Sequence, residues 1–98
     1  MTAIRLEWDP EKAQSNRQKH GVSFDEAVTV FFDEDARLIA DPDHSDGENR
    51  FLLVGLSQSL RTLVVCHCAK EDADTIRLIS ARKATKQERI YYESKVRR

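Results

Sequence analysis

No apolar run in the 98-residue chain approaches the ~20 residues that a membrane-spanning helix needs. The opening stretch MTAIRLEW lacks a basic flank, an apolar segment and a small-residue cleavage site. The expectation is a soluble cytosolic protein with no membrane role. Cysteine is scarce as well: Cys66 and Cys68 flank His67, and no second pair exists elsewhere to complete a zinc site with the usual ligand spacing. On a strand the two thiols point one way and His67 the other, so both cysteines read as free, buried core residues rather than a disulfide. Neither a metal nor a cofactor is expected. Internal repeats, low-complexity segments and linkers are also missing, which leaves a single domain over residues 1–98. A domain of this size buries roughly 65% of the surface its unfolded chain exposes.

An excess of either charge is absent, since the formal net charge is −1, but the distribution is uneven. From Gly21 to Arg50 there are two cations and nine anions; from Arg77 to Arg98 there are eight cations and two anions. A basic end suits a nucleic-acid surface, although steering is weaker than in a strongly basic protein. The plainer reading of such charges is solvated helix and strand faces.

Secondary structure follows from periodicity and punctuation. Ile4, Leu6 and Trp8 alternate with Arg5 and Glu7, as in an edge or half-buried strand. Asp9 and Pro10 open a helix running to His20, and Gly21 closes it. Ala13 is its only aliphatic residue, so Asn16 and His20 occupy the inward face, where they either cap backbone or line a site. Ser23 and Glu26 form a capping box before a short helix whose Phe24, Ala27, Val28 and Phe31 face the core. Arg37 to Ala40, Phe51 to Leu56, Thr62 to Ala69 and the strand containing Ile76, Leu78 and Ile79 follow, and Thr85 with Glu88 opens a last helix. The prediction is an α+β fold: an antiparallel sheet of four to five strands, two N-terminal helices and a C-terminal helix, with the helices covering one face.

The chemistry concentrates in IRLISARKATKQERIYY, residues 76–92, where a strand hands over to a helix amid Arg77, Arg82, Lys83, Lys86 and Arg89. Arginine's planar fork matches phosphate oxygens, and Tyr91 or Tyr92 offers a platform for an unpaired base or a hydrogen-bond donor. Arg77 and Arg82 are five residues apart and share a face only if the strand ends or bulges between them. His20, in the last turn of a helix, is a candidate for phosphate binding or proton transfer, or simply satisfies the helix end. His44 and Ser45, within the acidic loop DPDHSDGENR, have no partner fixed by spacing.

WDPEKAQSNRQKHGVSFDEAVTVF at 8–31, DPDHSDGENRFLLVGLS at 41–57 and IRLISARKATKQERIYY at 76–92 together resemble the BrnT family of type II toxins. What the resemblance implies is a RelE-like fold, metal-free RNA cleavage that inhibits translation and growth, and neutralisation by a BrnA-like ribbon-helix-helix antitoxin in a hetero-oligomer that touches DNA only through the antitoxin. Two departures stand out. The family commonly has glycine where this chain has Leu60, before Arg61, and often arginine where it has Lys70. Metal-free cleavage needs the 2′-hydroxyl deprotonated, the phosphorane charge stabilised and the leaving oxygen protonated. The catalytic candidates are therefore Arg77, Arg82, His20, Glu88 and Tyr92, with Arg61, Lys83, Lys86, Arg89, Tyr91 and Lys19 as RNA contacts. Glu88 also has its capping box to explain it, and Arg82 a possible carboxylate partner in Glu88. A rival reading is a binding module without nuclease activity that pairs with the antitoxin in operon repression.

Overall fold

The computed structural model describes residues 4–41, 50–70 and 74–95. Its elements are β1 (Arg5–Glu7), α1 (Pro10–His20), α2 (Phe24–Thr29) with a 3-10 turn over Val30–Phe32, β2 (Arg37–Ala40), β3 (Arg50–Leu56), β4 (Thr62–Ala69), β5 (Thr75–Lys83) and α3 (Lys86–Lys95). Local chemistry sets their ends. The Asp9 carboxylate accepts the Glu11 N–H at 2.9 Å, and Gly21 ends α1 at φ 69°, in the left-handed region where glycine carries no Cβ penalty. At α3 the capping box is reciprocal: Thr85 N–H donates to Glu88 Oε1 at 2.8 Å and Glu88 N–H to Thr85 Oγ1 at 3.1 Å. At α2 only half of the expected box forms. Ser23 Oγ accepts the Glu26 N–H at 3.0 Å, but the Glu26 carboxylate is engaged elsewhere.

The five strands lie in the order β1-β5-β4-β3-β2. Strands β2 to β5 pair antiparallel, as consecutive hairpins dictate, whereas β1 runs parallel to β5 from Arg5 opposite Thr75 to Glu7 opposite Arg77. The sheet is thus mixed rather than antiparallel, because the chain leaves β1 through two helices and no hairpin constrains its direction.

A second correction concerns the layers. One face carries α1 and α2 over Leu53, Leu63, Val65, Leu78 and Ala81; the other carries Val54 and Val64 against Ala84 and Tyr92, so α3 covers the opposite side. Strands buried on both faces lose the alternation of a half-exposed sheet, which is why LLVGL and LVVC are apolar almost throughout. Gly55 in β3 reflects the closeness of the first layer. A Cβ there would lie 2.9 Å from Val30 Cγ1 and 3.0 Å from Asp33 Oδ2.

In β4 the sides divide as alternation requires, with a difference in burial. Cys66 is buried with its Sγ 3.5 Å from Asp41 Oδ2, but Cys68, nearer the strand end, is only half-buried; both thiols are free. Burial pushes the Cys66 pKa up to about 11 and pushes that of His67 down. His67, on the opposite face, meets Phe31 edge-to-face at 5.1 Å. Across from it β5 bulges: Cys66 pairs with Ser80 and His67 with Leu78, leaving Ile79 as the extra residue.

The β3–β4 hairpin closes through Ser57 N–H to Arg61 O at 2.8 Å and Leu60 N–H to Ser57 O at 2.9 Å, with Leu60 at φ 63°. This three-residue loop needs a left-handed residue at its last position, and leucine, exposed there, adopts that conformation at a cost of about 1–2 kcal/mol. Leu60→Gly should therefore raise stability by about 0.5–1 kcal/mol, the unfolded-state entropy of glycine offsetting part of the gain. Chemical denaturation of the two proteins measures it; no increase would show that the loop accommodates leucine without strain.

Candidate functional site

The end of β5 gathers side chains from four elements. Asn16 of α1 is buried and donates from Nδ2 to Val22 O at 3.0 Å and Ala81 O at 2.8 Å, while its Oδ1 accepts the Ala81 N–H at 3.0 Å. Of the two roles open to it, Asn16 takes the backbone-capping one. It fixes α1 along β5, so that Lys12, Ser15, Lys19 and His20 line a cleft of about 170 Å³ with Ile79 and Ser80 at the bulge. Arg61 comes in from the β3–β4 turn. Its Nε donates to Glu26 Oε2 at 2.9 Å, one Nη donates to Glu26 Oε1, and that same Nη reaches the carbonyl of Gly21, the residue after His20, at 3.2 Å. Ser57 Oγ donates to Glu26 Oε2 at 2.6 Å. The Arg61 hydrogen bonds hold the Glu26 carboxyl below its usual range and raise the arginine in turn. Lys83, opposite Leu63 in the sheet, is near enough to lower Glu26 further. Lys19, His20, Arg61 and Lys83 therefore share one end of the sheet, on its α1–α2 face.

Arg82 projects to the other face. Its Nη1 and Nη2 donate to Glu88 Oε1 and Oε2 at 2.7 and 2.9 Å, a bidentate pair. With Thr85 N–H on the same carboxylate, the Arg82 hydrogen bonds hold Glu88 down to about 2, so it is ionised but too weakly basic, and too fully occupied, to take a proton. Beside this pair Tyr91 lines an open groove of about 390 Å³ with Ile39, Val54, Thr85, Gln87 and Glu88. Lys86 and Arg89 are exposed on α3. Tyr92 is placed away from all of these: it is buried against Val54 and Val64, and its hydroxyl donates to Asp33 Oδ2 at 2.6 Å.

The bulge at Ile79 brings Arg77 to the same face as Arg82, since Arg77 pairs with Cys68 and Arg82 with Val64. Four residues of β4 separate them, roughly 13 Å. They do not share a site: Arg77 lies 3.5 Å from Glu7 Oε2, the oxygen that also accepts from Lys70 Nζ at 3.1 Å. His44 and Ser45 lie outside the described residues. Sequence reasoning missed Glu26 as the partner of Arg61, because its position in a capping box already explained it. It also missed Asp33, whose carboxylate accepts from Leu56 N–H at 2.8 Å, Asp35 N–H at 3.0 Å and Tyr92. Burial works against the charged form of Asp33, but these hydrogen bonds prevail and keep its pKa low. Among the described residues, no three His, Cys, Asp or Glu side chains gather as a metal site requires, and no helix is long and apolar enough to cross a membrane.

The family model described as "Ribonuclease toxin, BrnT, of type II toxin-antitoxin system" matches residues 8–88, well over half of the chain. The chain belongs to the BrnT family. Membership makes it, at the level of the family, a ribonuclease toxin, and a type II system implies an antitoxin as partner. The crystal structure of the Brucella abortus ribonuclease toxin BrnT is similar to it at a TM-score of 0.62 and 24% identity, covering 88% of this chain and 100% of that one, which supports the α+β BrnT fold. A search of curated proteins finds no match.

The clasp between β5 and α3 of this BrnT-family chain has a measurable pH signature. Glu88 has its folded pKa depressed below the 4.5 of a free carboxyl, so its contribution is present above that pH and is lost as pH falls toward about 2. Because the Arg82 side chain is 36% exposed, screening leaves about 1–2 kcal/mol of this as stability. Glu88→Gln should lose that amount at neutral pH, and the gap in melting temperature between parent and variant should close below pH 4. A gap that is constant with pH would mean that the carboxylate's charge is not what holds α3.

Proposed function

We propose that this chain is a metal-independent endoribonuclease whose RNA lies across the end of β5, with His20 as the base that activates the 2′-hydroxyl. The observation that carries the reading is that Lys19 and His20 line a cleft with Ile79 and Ser80 at the bulge of β5, while Arg61 reaches the carbonyl of Gly21, next to His20, and Lys83 ends the same strand. His20 is solvent-exposed, so a ribose can approach it without any rearrangement of the core. Arg61, held in plane by Glu26, presents an oriented guanidinium to a phosphate, and Lys83 adds charge beside it. Arg82 acts from the opposite face of the same strand end: Glu88 orients its fork, and Lys86 and Arg89 extend the cationic track along α3 toward Tyr91, which at 40% exposure can stack on an unpaired base. Glu88 thus serves as a positioning residue and Tyr92 as a strut under α3. The enzyme acts in the cytosol as a single domain, restrained there by a BrnA-like ribbon-helix-helix antitoxin through which alone it contacts DNA.

Purified protein incubated with single-stranded RNA in excess chelator should yield 2′,3′-cyclic phosphate ends. His20→Gln should slow cleavage on the order of 10²-fold, and Lys83→Ala less, both with unchanged melting because both side chains are exposed. Activity that chelator abolishes and magnesium restores would remove the metal-free mechanism. Full activity of the His20 variant would remove the histidine. If no preparation cleaves RNA, while the chain still binds its antitoxin, the rival reading of an inactive binding module takes over.

A further inference from the structure

The two edges of the sheet are protected very differently. At β1 the strand has only three residues, two of them charged, and Glu7 is tied to Lys70 and Arg77. Short length and charge are the usual means of keeping other chains off an edge. At β2, residues Arg37–Ala40, the strand is one residue longer and charge does not guard the edge. The sequence RLIA has no lysine or proline, and its one cation turns away, Arg37 Nη2 donating to Lys95 O at 3.4 Å. Asp41 N–H donates to Arg50 O at 3.1 Å, so by the alternation of an antiparallel ladder Leu38 and Ala40 present their N–H and C=O groups outward. Leu38 is 59% and Ile39 38% exposed, on opposite faces of the sheet. A helix laid on either face would cover one of them; a strand added at the edge flanks both.

Charge selects the occupant. Asp33, Glu34 and Asp35 precede β2 and Asp41 follows it directly, with no lysine or arginine among them. A second copy of this chain would set acids against acids whichever way the two strands ran. We infer that the open edge of β2 receives an extended apolar segment of the antitoxin, flanked by basic residues, as a sixth strand. This rests on the membership of the chain in a toxin–antitoxin family, and adds the surface and the chemistry of the partner segment. Main-chain hydrogen bonds to Leu38 and Ala40 supply the pairing, side chains of the added strand cover Leu38 and Ile39, and the basic flanks meet the acidic frame.

The test combines one variant, one control and two peptides. Leu38→Lys places a cation on an exposed edge position and should weaken antitoxin binding by at least roughly tenfold, leaving melting and RNA cleavage unchanged; Leu60→Lys, at a still more exposed leucine in the β3–β4 turn, should bind as the parent does. Hydrogen exchange at the Leu38 and Ala40 amides should slow in the complex. A synthetic valine–threonine peptide with lysine flanks should bind and protect the same amides, and its glutamate-flanked counterpart should not. Undiminished antitoxin binding to Leu38→Lys, or unprotected Leu38 and Ala40 amides in the complex, overturns the assignment, as does equal binding of the two peptides. If the parent binds no antitoxin at all, the toxin–antitoxin reading falls, and the peptides alone decide the edge: protection by the lysine-flanked one upholds it, and no binding by either overturns it.

Discussion

Asn16 is the contact on which the position of the candidate site depends. Helix α1 has almost no apolar stripe, Ala13 being its only aliphatic residue, so hydrophobic burial alone would hold it weakly and at no particular rotation. The Asn16 amide instead makes three hydrogen bonds, two of them to the N–H and C=O of Ala81, which lies beyond the last residue of β1 paired with β5. A side chain thus continues the ladder where the edge strand stops. Rotating α1 would strand these buried groups at about 1–3 kcal/mol each, so the helix has one permitted azimuth. His20 is one turn further along the same side, and its place beside the bulge at Ile79 follows.

Three carboxylates join the remaining elements, and each accepts three hydrogen bonds. Glu26 ties α2 to the β3–β4 turn through Arg61 and Ser57, Asp33 ties the 3-10 turn to β3 and α3, and Glu88 ties α3 to β5. All three have pKa values below the ordinary range, so these joints share one pH dependence: full strength above that range, weakening as pH falls. Their use of Arg61 and Arg82 also sorts the cations. The two arginines are held in defined orientations, while Lys19, Lys83, Lys86 and Arg89 form no ion pair among the described residues and remain available to a polyanion.

Local signals carried most of the element map. The bounds of α1, β2 and β4 are those expected from Asp9-Pro10, Gly21 and the apolar runs, because caps and punctuation act within a few residues. The bulge that aligns Arg77 with Arg82 was foreseeable only as a condition, since a bulge is set by pairing with β4. What depended on distant partners was not legible. Glu26 and Glu88 occupy the same place in the same motif, yet one reaches across to Arg61 and the other serves both its cap and Arg82. Nothing local separates them. Tyr91 and Tyr92 likewise differ only in which side of α3 meets the sheet, and that was settled by the second apolar face of β3 and β4, the feature the one-sided expectation overlooked.

The near-zero net charge conceals two fields kept apart by the sheet. Between β5, with its cationic end, and the acid-framed β2 stand β4 and β3, so the spacing is three inter-strand steps, roughly 14 Å. That exceeds the Debye length of ≈ 8 Å at physiological ionic strength, so each patch acts on its own partner with little mutual cancellation. A polyanion is drawn to the end of β5 and along α3, not to the acids beside β2. The same separation constrains neutralisation: a strand seated on β2 would leave the His20 cleft uncovered, and its basic flanks would do nothing to repel RNA there. An antitoxin anchored at this edge must therefore block the site with another part of its chain, and the anchor's contribution is to hold that part at high local concentration.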